Sequence, residues 1–539
     1  MLLVNLNIDI GGSQFHTENR LILERRKRME SNSSDLSMKQ QIAADDKDLA
    51  KLGYKRDLVR SLGSFSTFAI GFAFISILTG VFQLFGFAYS NGGPAMWWVW
   101  VIAVFGQLLF ALSFGELAVR YPLAGSVYNW SKQIAKPMTS WLAGISLTLA
   151  LTVSTAAVAL AWQFVLPYIW SGFQFVGDGT GTYDVPANAV ILGGIMIALT
   201  TIVSLAGTKV VSIVNNIGVT VELIAVVLMI VFLGLNAQRG VTVVMETNGT
   251  GANHSSGYLG AMLISVLIGL YVMWGFDTAG SVSEETVNPR KTNPKAIIRA
   301  LVASGVLGGL LILTALMAVG DLQAQELGSL GLTYVIKSVL GNAFGNLLLT
   351  CVAIAIFVCA LANQTGAVRM MYAMSRDNAL PFGGALSKVS KKTESPVVPI
   401  LVVAVIAMAV LISNIRQPQI FLVATSCTVI LALTSYSMVV GPLTLARIRN
   451  KWSQSESGYF SLGKFGLIVN ATAFIWGVTM IVNIAWPRQG IYNPFEPFHW
   501  YLQWGGVLFP FGSLLIAALV YVTYQRKRIG IRSEHKAGS

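Results

Sequence analysis

Residues 258–283 read YLGAMLISVLIGLYVMWGFDTAGSVS. The run exceeds the roughly 20 apolar residues that carry a helix across a ~30 Å hydrocarbon slab. It holds one acidic side chain, Asp277, and no basic one. It is also punctuated, with Gly269, Gly275 and Gly280 placed around Trp274-Gly275-Phe276-Asp277. In hydrocarbon every backbone N–H and C=O needs a partner, so a broken helix is tolerated only where it lines a cavity or packs on protein. The stretch therefore predicts a membrane-crossing helix interrupted near its middle.

Comparable apolar runs lie on either side. Working outward, the spacing predicts spans at Phe65–Tyr89, Met96–Val119, Met138–Trp170, Ala187–Ala206 and Ile213–Leu235 before it. After it come Ala296–Val319, Ala343–Tyr372, Val397–Ile412, Ile420–Ala446, Phe465–Trp486 and Trp500–Tyr524. A shorter amphipathic helix, Gln323–Leu340, is expected outside the membrane between the seventh and eighth spans. The chain of 539 residues is 54% hydrophobic and 11% charged, with a mean hydropathy of +0.65; soluble domains carry about 25% charged residues. The expectation is an all-α integral membrane protein of about twelve spans, with residues 1–62 and 527–539 as tails and 63–526 as the membrane domain.

The net charge of +13 would suit a nucleic-acid partner if it formed one patch. Instead Lys and Arg sit in alternate loops. Arg120, Lys132, Lys136, Lys209, Arg290, Lys291, Lys295, Arg299, Arg369, Arg376, Lys388, Lys391, Lys392, Arg447, Arg449, Lys451 and Lys464 fall on the side of the N-terminus. The other side receives Arg239, Lys337, Arg416 and Arg488. Retention of positive charge in the cytoplasm explains this asymmetry, places both termini inside, and excludes nucleic-acid binding as the source of the charge. The cell (plasma or cytoplasmic) membrane is the expected location. The basic cluster Arg25, Arg26, Lys27 and Arg28 reads as a solvated charge run, with anionic lipid as the other partner for it. Sequons at Asn248-Gly249-Thr250 and Asn253-His254-Ser255 fall in the predicted external loop after span five, whereas Asn32-Ser33-Ser34 lies in the internal tail. Cys351, Cys359 and Cys427 all lie within apolar runs and read as small apolar residues rather than disulfide partners.

A second interruption is expected in span one, where Gly71 and Gly80 flank Ile75-Ser76-Ile77-Leu78-Thr79. Spans one and six are equivalent positions if five helices repeat, and paired breaks at equivalent positions mark binding sites in secondary transporters. Two carboxylates fall well inside the bilayer, Asp277 and Glu222, where a charge costs at least about 3 kcal/mol on insertion scales. Glu222 has two readings, a proton- or cation-coupling group and a structural hydrogen-bond acceptor. Asp277 likewise reads as a stabiliser of the break or as a substrate contact. Glu116, Glu284, Glu285 and Asp321 lie near span ends and read as water-accessible gate or interface charges. The absence of a P-loop, a metal-ligand cluster and an HExxH motif points away from ATP hydrolysis, metalloprotease chemistry and enzymes generally, and no cofactor is implied.

Several motifs carry a resemblance. Leu49-Ala50-Lys51-Leu52-Gly53-Tyr54-Lys55-Arg56 precedes span one; Ser76-Ile77-Leu78-Thr79-Gly80 is followed by Gly92-Gly93-Pro94. Gly115-Glu116-Leu117-Ala118 leads into Tyr121-Pro122-x-x-Gly125-x-x-Tyr128, and Gly275-Phe276-Asp277 into Glu284-Glu285-Thr286-x-Asn288-Pro289. Arg376-Asp377-Asn378-x-Leu380-Pro381 follows span eight. In this order and spacing the chain from Leu49 onward resembles the amino acid–polyamine–organocation superfamily, in particular its amino acid/choline transporter branch. The resemblance implies a five-plus-five inverted-repeat core, about 65–235 and 258–446, with two extra helices over about 465–524. It also implies alternating access around a central site. Backbone amides of Ser76, Ile77, Leu78, Thr79 and Gly80 would hold a substrate carboxylate, and carbonyls around Met273, Trp274 and Gly275 its amino group. Asp277 would border the same site. Phe276 would be an aromatic gate or cation–π surface, and Glu116 a second gate candidate. Many relatives have Gly-x-Gly in span one; Leu78 replaces the first of these glycines. A lysine that some bacterial members carry in span five aligns with Glu222, which makes a co-transported proton the coupling candidate. The loop Ser171–Pro186 lacks the cysteine that tethers a heavy chain in vertebrate relatives, so no disulfide-linked partner is expected.

The resulting expectation is a secondary active carrier for amino acids or related amines such as γ-aminobutyrate. Choline or a polyamine as substrate, and a nutrient sensor of the same fold, are its rivals.

Overall fold

The computed structural model describes residues 38–532 except 57, 182, 255, 416–419, 454–456, 494, 495, 497 and the side chain of Asn253. The basic cluster Arg25–Arg28 and the Asn32 sequon lie outside the described residues. Eleven of the described helices are long and apolar enough to cross a membrane, and the count reaches twelve with the bent pair Val241–Ala252 and Gly257–Val272 taken as one span; Gly257–Val272 is numbered as span six. The protein is thus all-α and multi-pass.

Span one is Ser64–Ile75 and Ile77–Gly92, separated at Ser76, whose φ of 32° and ψ of 91° leave the helical region. Spans two to five are Trp97–Arg120, Pro137–Ala159, Asp184–Leu205 and Thr208–Leu235. Span six stops at Val272 and resumes only as the single turn Thr278–Ser281. Spans seven to twelve are Pro289–Ala318, Leu332–Arg376, Val397–Ile412, Ile420–Ile448, Gly466–Ala485 and Gly505–Val520.

Three local readings change. The external helix expected over Gln323–Leu340 is a turn, Glu326–Ser329, followed by a helix from Leu332 that runs into span eight across a kink at Gly341 (φ 74°). Leu332, Val335 and Ile336 on one face of it are buried and Ser338 on another is exposed; the helix is amphipathic but shorter than expected. Asn248 is partly buried, with its amide donating to the Tyr89 hydroxyl (3.0 Å) and the Leu322 carbonyl (3.1 Å), so that acceptor nitrogen is engaged. Finally, Glu116, Glu284 and Glu285 are buried rather than water-accessible; Asp321 alone of the four is exposed.

The spans pack in a regular scheme. Two packs on seven, four on nine, three on eight and one on six. Further contacts come in pairs: three with ten and five with eight, three with nine and four with eight, one with seven and two with six, one with five and six with ten; the packing of one on eight has no comparable counterpart between six and three. Exchanging each span with the one five places away maps these pairs onto one another. Spans eleven and twelve pack outside, against two, three and ten. Span one is almost wholly buried, whereas five, nine, eleven and twelve expose Ile, Leu, Val and Phe side chains, the surface that lipid covers.

On the face that carries the N-terminal helix, residues 38–51, a short helix Ser126–Ile134 joins spans two and three. This N-terminal face gathers most of the described basic residues.

Candidate functional site

The two interruptions meet at the centre. Gly275 has a φ of 80°, and a Cβ there would fall 1.8 Å from the Phe74 ring; only glycine permits both this backbone and this contact. A Cβ on Gly80 would lie 2.3 Å from Val272. Phe74 and Trp274 stand edge to face, centroids 4.9 Å apart. Around them lies a small cavity lined by Phe74, Ile75, Thr79 and Gly80 of span one, Ser154 and Val158 of span three, Tyr271 and Trp274 of span six, and Cys359 and Asn363 of span eight. At ≈ 10 Å³ it holds no more than about one water. The Asn363 Oδ1 is buried with no hydrogen-bond partner among the described residues, which makes it an open recognition group; the Tyr271 hydroxyl stands beside Ser154.

Glu222 caps the span-one break. Its Oε1 accepts from the Ser76 hydroxyl (2.9 Å) and from the Leu78 amide (3.2 Å). Ser76 in turn accepts from the Thr79 amide (3.4 Å) and lies 2.6 Å from the Thr79 hydroxyl. Since Ser76 gives its proton to Glu222, Thr79 is the donor in that last bond. The Gly80 amide donates to the Ser76 carbonyl at 3.2 Å.

Asp277 does the equivalent at the second break. It accepts from Ser126 (2.8 Å) and from the Tyr436 hydroxyl of span ten, which itself accepts from the Gly275 amide (2.9 Å). Ser126, like Ser76, has a positive φ (22°). A non-glycine residue in that region signals a surrounding structure that over-determines it. Phe276 does not line the cavity; it packs into a ring cluster with Phe114 and Tyr436. Met273, Ile77 and Leu78 are buried without lining it.

Both ends of the site are closed. On the side away from the N-terminus, Tyr89 donates to Leu322 (2.6 Å). On the N-terminal face, Arg376 makes two 2.8 Å bonds to Glu284 with neither side chain exposed, and the Ala124 amide adds a third donor (2.9 Å). Burial alone pushes the Glu284 carboxyl up, but the Arg376 guanidinium and these bonds outweigh it and hold the group below its ordinary value. Asp377 accepts from Lys132 (2.6 Å), Tyr54 (2.8 Å) and Tyr128 (3.0 Å). Burial, then the Asp377 charge, raises the Tyr54 phenol well above its ordinary range, so it stays a donor. Arg369 pairs with Glu285 (3.1 Å), and Arg447 with Glu116, which also accepts from Ser461 and the Leu462 amide (both 3.3 Å). Beneath this layer a cavity of ≈ 1010 Å³, bordered by Leu62, Lys209, Glu285, Tyr372 and Lys388, opens on the N-terminal face. Tyr372 stands nine residues beyond Asn363, about 13 Å along span eight at 1.5 Å per residue.

Of the residues expected at the site, Thr79, Gly80 and Trp274 line the cavity, and Glu222 reaches the first break. Ser154, Tyr271, Cys359 and Asn363 were not anticipated. A polar group on spans three or eight has no distinguishing mark when glycine and hydroxyl residues recur along every span.

A multi-pass helical protein with an enclosed polar centre between two interrupted helices has the architecture of a membrane transporter. Residues 62–509 match the family profile described as Amino acid permease, and the chain belongs to this family of the amino acid–polyamine–organocation superfamily. It is 29% identical to the Amino-acid permease BAT1 of Arabidopsis thaliana over 81% of this chain and 88% of that protein. A rice homologue of that permease is 29% identical over 81% and 87%. The GABA-specific permease of Saccharomyces cerevisiae is 23% identical over 90% of this chain and 85% of its own length.

Proposed function

We propose that the protein is a secondary active carrier of amino acids, γ-aminobutyrate among the candidate substrates, working by alternating access around the central cavity. The observation that carries this is the convergence of both helix interruptions, with the unpartnered Asn363 Oδ1, on one cavity walled by spans one, three, six and eight. The self-matching contact scheme supports two five-span repeats, about 65–235 and 258–446, that rock against each other. In this reading the substrate's carboxylate faces the span-one break from Ser76 to Gly80, and its amino group faces the carbonyls of Met273, Trp274 and Gly275. Asp277 holds the second break through Tyr436, Phe276 backs that anchor, and the Arg447–Glu116 pair belongs to the gate on the N-terminal face. That face is cytoplasmic, as the clustering of basic residues there supports, and the membrane is the cell's own. A proton bound by Glu222 is the coupling ion.

Uptake into liposomes by the purified protein tests the reading, with labelled amino acids, γ-aminobutyrate, choline and putrescine offered with and without an inward proton gradient. Gradient-enhanced uptake of an amino acid is the expected result. Uptake of choline or putrescine alone would replace the substrate class, and binding without uptake would make the protein a sensor.

A further inference from the structure

We infer that the substrate's carboxylate and the Glu222 carboxylate take turns on the span-one break, so that amino acids bind only while Glu222 holds a proton. The inference rests on the carrier reading above and adds to it how the proton and the substrate are coupled.

The amides of Leu78, Thr79 and Gly80, where a substrate carboxylate would dock, all have partners. Leu78 donates to Glu222, Thr79 to the Ser76 hydroxyl and Gly80 to the Ser76 carbonyl. Glu222 is therefore the built-in occupant of the anion site at the start of the sixteen-residue helix Ile77–Gly92. Glu222 nevertheless leaves the site incompletely satisfied. The cavity that Thr79 and Gly80 border is also lined by Asn363, whose Oδ1 is more than nine-tenths buried and unpartnered among the described residues, and Glu222 does not satisfy it.

Two carboxylates cannot share one set of donors without one of them taking up a proton. When a substrate carboxylate arrives at Leu78, Glu222 binds H⁺ from water, becomes a neutral carboxyl and releases the amide. When the substrate leaves, the proton leaves with it and Glu222 returns. A simple amine raises no such conflict, because an ionised Glu222 attracts it.

No basic neighbour complicates the exchange. Of the helices packed on span five, span one presents the Ser76 and Thr79 hydroxyls. Span eight presents the Cys359 thiol, which interacts electrostatically with Glu222. The remaining charged residues of span eight, Lys337, Arg369 and Arg376, lie toward its ends. Spans four and seven carry theirs only near one end, at Asp184 and at Arg290, Lys291, Lys295 and Arg299. On span five itself the other charged residue is Lys209, at its start.

Equilibrium binding to the purified full chain between pH 5.5 and 8.5 tests this, using a panel of α-amino acids and γ-aminobutyrate beside the matching amines that lack the carboxylate. In the wild type, amino-acid affinity falls as pH rises, by up to about tenfold per pH unit for one linked proton. In Glu222→Gln it is high and flat, and amine binding shows no such fall in either protein. A second measurement needs no variant: adding saturating amino acid to lightly buffered wild type at high pH draws about one proton per bound molecule from solution, and adding amine draws none. Amino-acid binding without proton uptake, or a pH profile that Glu222→Gln leaves intact, overturns the inference and leaves the carrier reading standing. If only amines bind at any pH, both fall together.

Discussion

Apart from Asp45 of the N-terminal helix, the buried carboxylates among the described residues fall into two groups. Glu284, Glu285, Glu116 and Asp377, on the N-terminal face, each meet a guanidinium or ammonium group. Glu222 and Asp277, at the two helix breaks, are held by hydroxyls and, for Glu222, one amide, with no ion pair among the described residues. The difference decides what each group can do. A paired carboxylate is fixed in its charged form, because losing the charge strands its partner. One held by neutral donors can take up or give back a proton while every neighbour keeps its own charge. The first group therefore holds the N-terminal face closed through its charges, and the second is the part able to change its protonation state.

The comparison breaks most visibly at Arg376. Arg376→Leu leaves Glu284 charged, buried and unpaired, a change that costs about 3–5 kcal/mol; the expected outcome is a steep loss of thermal stability of the detergent-purified protein. Replacing Glu284 by Leu in the same chain recovers most of it. A smaller loss is expected from Tyr436→Phe, which strips a donor from Asp277 and an acceptor from the Gly275 amide, about 1–3 kcal/mol. The same melts, with uptake measured alongside, check it: the fold survives and transport suffers more than stability. The shallowest effect is pH dependence. Glu284 is held below its ordinary carboxyl value in the folded protein, so its contribution is fully present above the unfolded value of about 4.3 and is lost as pH falls through the lower folded value. Melting curves taken on acidification show this limb in the wild type, and Glu284→Gln flattens it. If Glu284→Gln leaves the limb unchanged, Glu284 belongs with Glu222 and Asp277 instead.

The spans were legible because hydrocarbon imposes length and apolarity on every one of them, and the interruptions were legible because glycine clusters and lone carboxylates are costly there. Two things were not. Glu116, Glu284 and Glu285 sit at predicted span ends, where sequence alone suggests water; their partners Arg447, Arg376 and Arg369 come from other parts of the chain, and the pairing that buries them is tertiary. Tyr271 and Asn363 gave no signal for a related reason. A tyrosine or an asparagine within a span is common, and what sets these apart is the cavity they line and, for Asn363, an acceptor left without a partner, which only the packed structure reveals. The helix over Gln323–Leu340 began later than expected because the glycines Gly328 and Gly331 interrupt its first turns.

Arg376 and Asp377 also bring the two ends of the described chain together. Tyr54 bonds to Asp377 from one side, while the Gly530 and Arg532 amides donate to the Asp377 and Arg376 carbonyls (2.9 and 3.1 Å) from the other. During synthesis this junction stays incomplete until residue 532 has cleared the ribosome, long after the spans have entered the bilayer. A chain truncated before that point would be inserted, apolar and outwardly whole, yet would leave backbone carbonyls unpaired at the end of span eight.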